Sequence, residues 1–178
     1  RPLNLSIQGN GTRLHLKSSQ KPIEFTDQII GHYSQLLDTQ VGDFIIRRKD
    51  GLFSYQLAVT VDDHFQGITH IMRGSDLLDS TPRQIYLQKI LGYSQPQYAH
   101  LPVANNELGQ KLSKQNLAAG LSYGQEADNL WYALDWLKQS PPKELRHLKA
   151  DHILSWAIDH WVQTQVPAKL TLPAPEGF

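Results

Sequence analysis

The stretch Asp43-Phe44-Ile45-Ile46-Arg47-Arg48-Lys49-Asp50-Gly51-Leu52-Phe53-Ser54-Tyr55-Gln56-Leu57-Ala58-Val59-Thr60-Val61-Asp62-Asp63 decides how the rest of the chain is read. Its β-branched and aromatic opening, Phe44-Ile45-Ile46, predicts a strand. Asp50-Gly51 is a strong hairpin signal, so the strand-like Phe53-Ser54-Tyr55 is expected to pair back against it. The apolar run Leu57-Ala58-Val59-Thr60-Val61 fits either a helix or a strand. Asp62-Asp63 interrupts it, and Ile68-Thr69-His70-Ile71-Met72 resumes a short buried-strand pattern. A sheet with a helix across it suits this spacing, which makes the fold class α/β.

Upstream, Leu14-His15-Leu16 and Ile23-Glu24-Phe25 are short apolar alternations punctuated by Gly9, Gly11 and Pro22, read as short strands and turns. Downstream, Ser80-Thr81-Pro82-Arg83-Gln84 offers an N-cap followed by proline near the first helical position. Ile85, Leu87, Ile90 and Leu91 supply the apolar face, and Gly92 closes the helix. His100-Leu101-Pro102-Val103 is strand-like and leads into a polar loop from Asn105 to Gln115. Residues 128–138 and 149–163 carry apolar positions at helical spacing, so the C-terminal third is predicted helical. Its four tryptophans, Trp131, Trp136, Trp156 and Trp161, read as core anchors rather than as a base-stacking platform. Pro167, Pro173 and Pro175 predict a tail with little reason to order.

With 178 residues the chain is long enough for one domain with a real core. Lys plus Arg equals Asp plus Glu at 17 each, so no net field advertises a polyanionic partner. The absence of cysteine removes disulfides, thiolate catalysis and cysteine-ligated zinc. The eight histidines form no HxH or HxxxH pair, and no metal is expected in this chain. No apolar run approaches the roughly 20 residues that cross a bilayer. A cytoplasmic protein with no membrane partner is the expectation. The start, Arg1-Pro2-Leu3, lacks a methionine and suggests a fragment.

Three features could carry chemistry. Lys111-Leu112-Ser113-Lys114-Gln115 holds two lysines three apart that can converge on phosphate oxygens; alone, such spacing is common and weak. Asp62, Asp63 and Arg73 lie among β-branched residues. An arginine there can grip a carboxylate with two parallel hydrogen bonds, or the three can pair among themselves. Tyr55 is an aromatic with a polar tip opening an apolar stretch, and the partner of such a tip is more often protein than ligand.

In order and spacing, Asp43 to Gly51, Tyr55-Gln56-Leu57-Ala58-Val59, Val61-Asp62-Asp63, Gly67-Ile68-Thr69-His70-Ile71, Arg73-Gly74 and Ser80-Thr81-Pro82-Arg83-Gln84 resemble the class I glutamyl-tRNA-synthetase-like family. Lys111-Leu112-Ser113-Lys114-Gln115 then stands where that family carries its KMSKS signature, with Leu for Met and Gln for the final Ser. The resemblance covers roughly residues 13 to 165. Arg73-Gly74-Ser75-Asp76-Leu77-Leu78, the loop from Lys111 to Asn116 and the short Trp-rich finish look like the glutamyl-queuosine tRNA(Asp) synthetase branch.

The resemblance implies the second half of a Rossmann-like catalytic domain at 43–110, preceded by a β-rich connective segment at 1–42. A signature loop and helical bundle follow at 111–165, and a tail at 166–178. It implies Tyr55 and Arg73 as glutamate-binding residues, Lys114 and Ser113 as ATP-loop residues, and Lys114 with Lys111 as catalytic. ATP, glutamate and queuosine-bearing tRNA(Asp) are the implied substrates, and zinc belongs to a cysteine cluster outside this chain. The HIGH-type helix start is also absent from residues 1–42, so the expectation is a truncated or proteolysed chain, inactive alone, whose partner is the missing N-terminal half. A glutamyl-tRNA synthetase cut before its anticodon region, or a noncatalytic RNA-binding module of the same descent, stays open beside that reading.

Overall fold

The computed structural model of the chain describes residues 5–8, 13–113, 120, 121 and 123–175, in two compact units, Arg1–His100 and Leu101–Phe178. The first unit runs β1 (Leu5–Gln8), β2 (Arg13–Leu16), β3 (Ile23–Asp27), β4 (Gly31–Gln35), α1 (Leu37–Gln40), β5 (Phe44–Arg47), α2 (Tyr55–Phe65), β6 (His70–Gly74), a 3-10 turn (Ser75–Ser80), α3 (Thr81–Leu91) and β7 (Gln97–Leu101). Strands β1, β2 and β5 form an antiparallel sheet in that order, with a register shift at Leu14/His15. Strands β3 and β4 make a hairpin, and β6 joins β7. The chain is thus of mixed α/β class.

Period-2 alternation places Ile23, Phe25 and Asp27 on the buried face of β3. The two apolar side chains join Leu37, Phe44, Leu78, Ile85, Leu87 and Tyr98 in the core of this unit. Each such side chain, fully buried, contributes about 1.5–3 kcal/mol. The core is therefore built by the same hairpin face that carries an aspartate inward.

The Asp50-Gly51 signal gives a turn but not a paired strand. Arg47 and Phe53 form an isolated bridge, held by Arg48 N–H to Leu52 O and Ser54 N–H to Ile46 O. Ser54 then caps a helix by accepting from the Leu57 amide, so Tyr55 opens α2 and the ambiguous Leu57–Val61 run is helical. Nor is β6 buried as its pattern suggests, since Ile71, Arg73 and Gly74 are half-buried and Met72 is 47% exposed. The α3 boundaries match the sequence signals, with Pro in the first turn and Gly92 left-handed at φ 73°. Ser80 occupies the cap position without capping, because the preceding 3-10 turn runs directly into the helix and supplies the carbonyl for its first amide.

The second unit holds β8 (Val103–Asn105), α4 (Glu126–Trp136), a 3-10 turn (Lys143–His147), α5 (Ala150–His160) and β9 (Thr171–Pro173). The tail expected to lack order returns as β9, parallel to β8. Trp136 Nε1 donates to Pro173 O at 2.7 Å, and the Ala174 amide donates to Asn105 O at 2.9 Å. A proline at the end of an edge strand sacrifices no ladder donor. The four tryptophans are half-buried rather than core anchors. Among the described residues Leu134, Ile153 and Val166 are buried here, as are Pro102 and Pro141, while the indole N–H groups of Trp131 and Trp136 satisfy backbone carbonyls. An indole needs a partner for its N–H, and this pulls its ring to the rim of a small core.

Candidate active site

Arg73 lies near the end of β6, and its guanidinium is wired to neutral acceptors. Nε donates to His100 Nε2 at 3.2 Å, and the Nη2 group donates to Thr81 Oγ1 and Gln84 Oε1, both at 2.8 Å. The cation also lies 5.5 Å from the centre of the Tyr98 ring, within cation–π range. Among the described residues none of these hydrogen bonds goes to a carboxylate, so the positive charge is held in place without being neutralised by contact. Neither Asp62 nor Asp63 hydrogen-bonds Arg73 among the described residues. Burial raises the Asp63 carboxyl above its ordinary range, opposed by the Arg73 charge and assisted by Asp62. Arg73 and Asp63 thus share an electrostatic environment without direct pairing.

Behind Arg73 stands a buried pair. His100 and Asp27 are both fully buried, with Nδ1 and Oδ2 2.6 Å apart. Asp27 Oδ1 accepts from the amides of Ile29, Ile30 and His100. Burial alone would raise the Asp27 carboxyl; the His100 bond and those three amides outweigh it and hold the group below its ordinary value. Arg73 can only donate, so His100 Nε2 must offer its lone pair, and the donors therefore assign the imidazole proton to Nδ1, facing Asp27.

The polar chain continues outward. Gln84 Nε2 donates to Gln56 Oε1 at 2.9 Å, and Gln56 Nε2 donates to Ser80 Oγ at 3.0 Å. Gln56 adjoins Tyr55, so the first turn of α2 is tied through one residue to the Arg73 cluster. Tyr55 itself is 53% exposed, with its ring available to solvent.

The lysine loop belongs to the second unit. Asn106 Oδ1 accepts from the amides of Leu108 and Gln110, Gly109 is left-handed at φ 76°, and Lys111 bridges back to Asn105. A closed turn thereby presents Lys111 at the surface, with half-buried Ser113 after it. Lys114 lies outside the described residues.

Sequence reasoning missed Asp27, His100, Gln56 and Gln84 as site residues. Two signals were available: Asp27 falls on the inward phase of the Ile23, Phe25, Asp27 alternation, and His100 interrupts the otherwise largely apolar run Tyr98-Ala99-His100-Leu101. An ionisable side chain in an apolar phase demands a partner.

Residues 5–134 match the model of the class I tRNA synthetases (E and Q), catalytic domain. The chain belongs to this family. Among similar synthetases, the glutamyl-Q tRNA(Asp) synthetase of Pseudomonas paraeruginosa is 47% identical over 160 residues, which is 90% of this chain and 55% of that protein. The protein of the same name from Dechloromonas aromatica is 51% identical over 152 residues, 84% of this chain and 50% of its own length. The chain spans about half the length of the curated relatives it matches. In fold it is similar to the glutamate-tRNA synthetase of Elizabethkingia anophelis, with a TM-score of 0.66 at 23% identity over 89% of this chain and 36% of that one. Among the described residues no group of three or more acidic or histidine side chains is placed to hold a metal, and no helix is long and apolar enough to cross a membrane. The chain contains no cysteine.

Proposed function

We propose that this chain is the second half of the catalytic machinery of a glutamyl-queuosine tRNA(Asp) synthetase acting in the cytoplasm. The observation that carries the reading is the 44–51% identity to proteins of that name over most of the chain. Arg73 supports it chemically: a half-buried guanidinium fixed by neutral acceptors suits an anionic ligand such as the glutamate carboxylate. Tyr55, about half exposed and adjacent in sequence to Gln56 of that cluster, is assigned to the same ligand. In the second unit, Lys111, Ser113 and Lys114 are assigned to ATP. The lysine charges stabilise the phosphates as the glutamate carboxylate attacks the α-phosphorus and pyrophosphate leaves. The glutamyl group is then transferred from the adenylate to the queuosine base of tRNA(Asp), with cleavage of the acyl–phosphate bond and release of AMP. Neither step needs a protein nucleophile; positioning and charge stabilisation suffice.

Glutamate-dependent pyrophosphate exchange, followed by transfer of labelled glutamate, tests the proposal on the protein expressed from its complete gene. Exchange without tRNA and transfer to queuosine-containing tRNA(Asp) are expected, with no transfer to the same tRNA lacking queuosine. Preferential charging of tRNA(Glu) would point to a glutamyl-tRNA synthetase instead. The 178 residues alone are expected to give no adenylation, and full exchange from them would overturn that part.

A further inference from the structure

We infer that Asp27 and His100 form a positioning relay for Arg73, setting glutamate affinity without touching glutamate. The inference rests on the assignment of Arg73 to that ligand. An arginine side chain has many rotamers, and a planar guanidinium is useful to a carboxylate only in one orientation. Here two groups on one edge of the plane are tied down: Nε by His100, and the Nη2 nitrogen by Thr81 and Gln84. The Tyr98 ring lies against the guanidinium. The other terminal nitrogen has no hydrogen-bond partner among the described residues.

The relay depends on which nitrogen of His100 carries the proton. If Nε2 were protonated, its N–H would oppose the N–H of Arg73 Nε. Asp27 prevents this by accepting from Nδ1, and its other oxygen is locked by the amides of Ile29 and Ile30 at the β3–β4 turn and by the amide of His100 itself on β7. Both partners are fully buried, so water is poorly placed to take over either role. The turn geometry of a remote hairpin is thereby transmitted through an imidazole to a cation. His100 Nε2 lies 3.2 Å from Arg73 Nε and 3.0 Å from Thr81 Oγ1, which itself accepts from Arg73, so the second nitrogen serves the guanidinium both directly and through Thr81; a pair serving only to staple β3 to β7 would need neither contact.

Three variants of the protein expressed from its complete gene test this, with KM for glutamate and for ATP measured in pyrophosphate exchange alongside thermal melting. In His100→Asn the amide nitrogen stands near the former Nδ1 and keeps the bond to Asp27, but nothing replaces Nε2 as the acceptor for Arg73 Nε. In His100→Gln the side-chain oxygen reaches the former Nε2 position and keeps the bond to Arg73, but Asp27 is abandoned. The relay predicts that H100N raises the glutamate KM about tenfold or more, as expected for losing a hydrogen bond to a charged group. The ATP KM should stay unchanged, and H100Q should recover most of the glutamate affinity even if it melts earlier. Arg73→Lys should raise the glutamate KM further.

If R73K weakens glutamate binding while H100N melts early with its glutamate KM unmoved, the pair is only a staple and the relay is wrong. If R73K itself leaves the glutamate KM unchanged, the assignment of Arg73 fails and the relay falls with it. Should H100N not fold, Asp27→Asn replaces it. Its amide group presents a donor to Nδ1, which drives His100 to the opposing tautomer, and the same rise confined to glutamate is required.

Discussion

Arg73 and Lys111, both cations assigned to anionic ligands, are held in opposite ways. Arg73 is the end of a buried polar chain that begins at a hairpin turn, and each of its named donors meets a fixed neutral acceptor. Lys111 follows a closed turn and stands exposed at the surface of the second unit. The difference matches the demands of the two ligands. A small amino acid that must be told from its neighbours needs a preorganised partner, whereas a triphosphate is gripped by charges that can adjust to it. Stability and substrate affinity should therefore be coupled at the first site and separable at the second.

The sharpest break in that coupling is Asp27→Asn. Removing one partner of a buried, hydrogen-bonded pair costs about 3 kcal/mol, read as a fall in urea-unfolding free energy. Because the Asp27 carboxyl lies below its ordinary 3.8 in the folded chain, its contribution is present above that pH and is lost as pH falls through the lower native value. The acid limb of the stability curve should flatten in the variant. A cost under about 0.5 kcal/mol, the size expected of an ordinary surface change, would mean the network is not rigid and the contrast with Lys111 is false.

A smaller effect belongs to the second unit. Trp136→Phe removes the bond from the indole to Pro173 O while keeping most of the ring, and should cost about 1 kcal/mol. The Ala174 amide, which donates to Asn105 O, should then exchange its hydrogen faster as β9 loosens. Unchanged exchange would show that β9 is held by its pairing with β8 alone.

How much of this could be read from the chain follows from which interactions are local. The α3 helix was legible because proline in the first turn and glycine at the C-cap act within a few residues. The α2 helix was ambiguous because Leu57-Ala58-Val59-Thr60-Val61 is apolar in both periods, and a single serine cap settles it. The β9 strand was invisible because it is stabilised by Asn105 and Trp136, far away in sequence. The same holds at the site. Arg73 and Tyr55 stand out as candidates from their own sequence surroundings, and the resemblance only attaches glutamate to them, while Asp27 and His100, 73 positions apart, meet only in the fold.

The mildest change is also the one that separates the two sites. Lys111→Ala removes an exposed side chain, and whatever contacts it makes are surface contacts, so unfolding free energy should move by no more than about 0.5 kcal/mol. Removal of one charge facing a phosphate should nevertheless raise the KM for ATP in pyrophosphate exchange by about tenfold, with that for glutamate unchanged. An exposed group can serve this purpose because its ligand brings its own charge and screens the site only after binding. If K111A instead destabilises the fold as D27N does, Lys111 is structural and the turn from Asn105 to Lys111 is a packing element. If it leaves both stability and ATP affinity unchanged, Lys111 has no part in phosphate recognition, which then falls to Ser113 and Lys114.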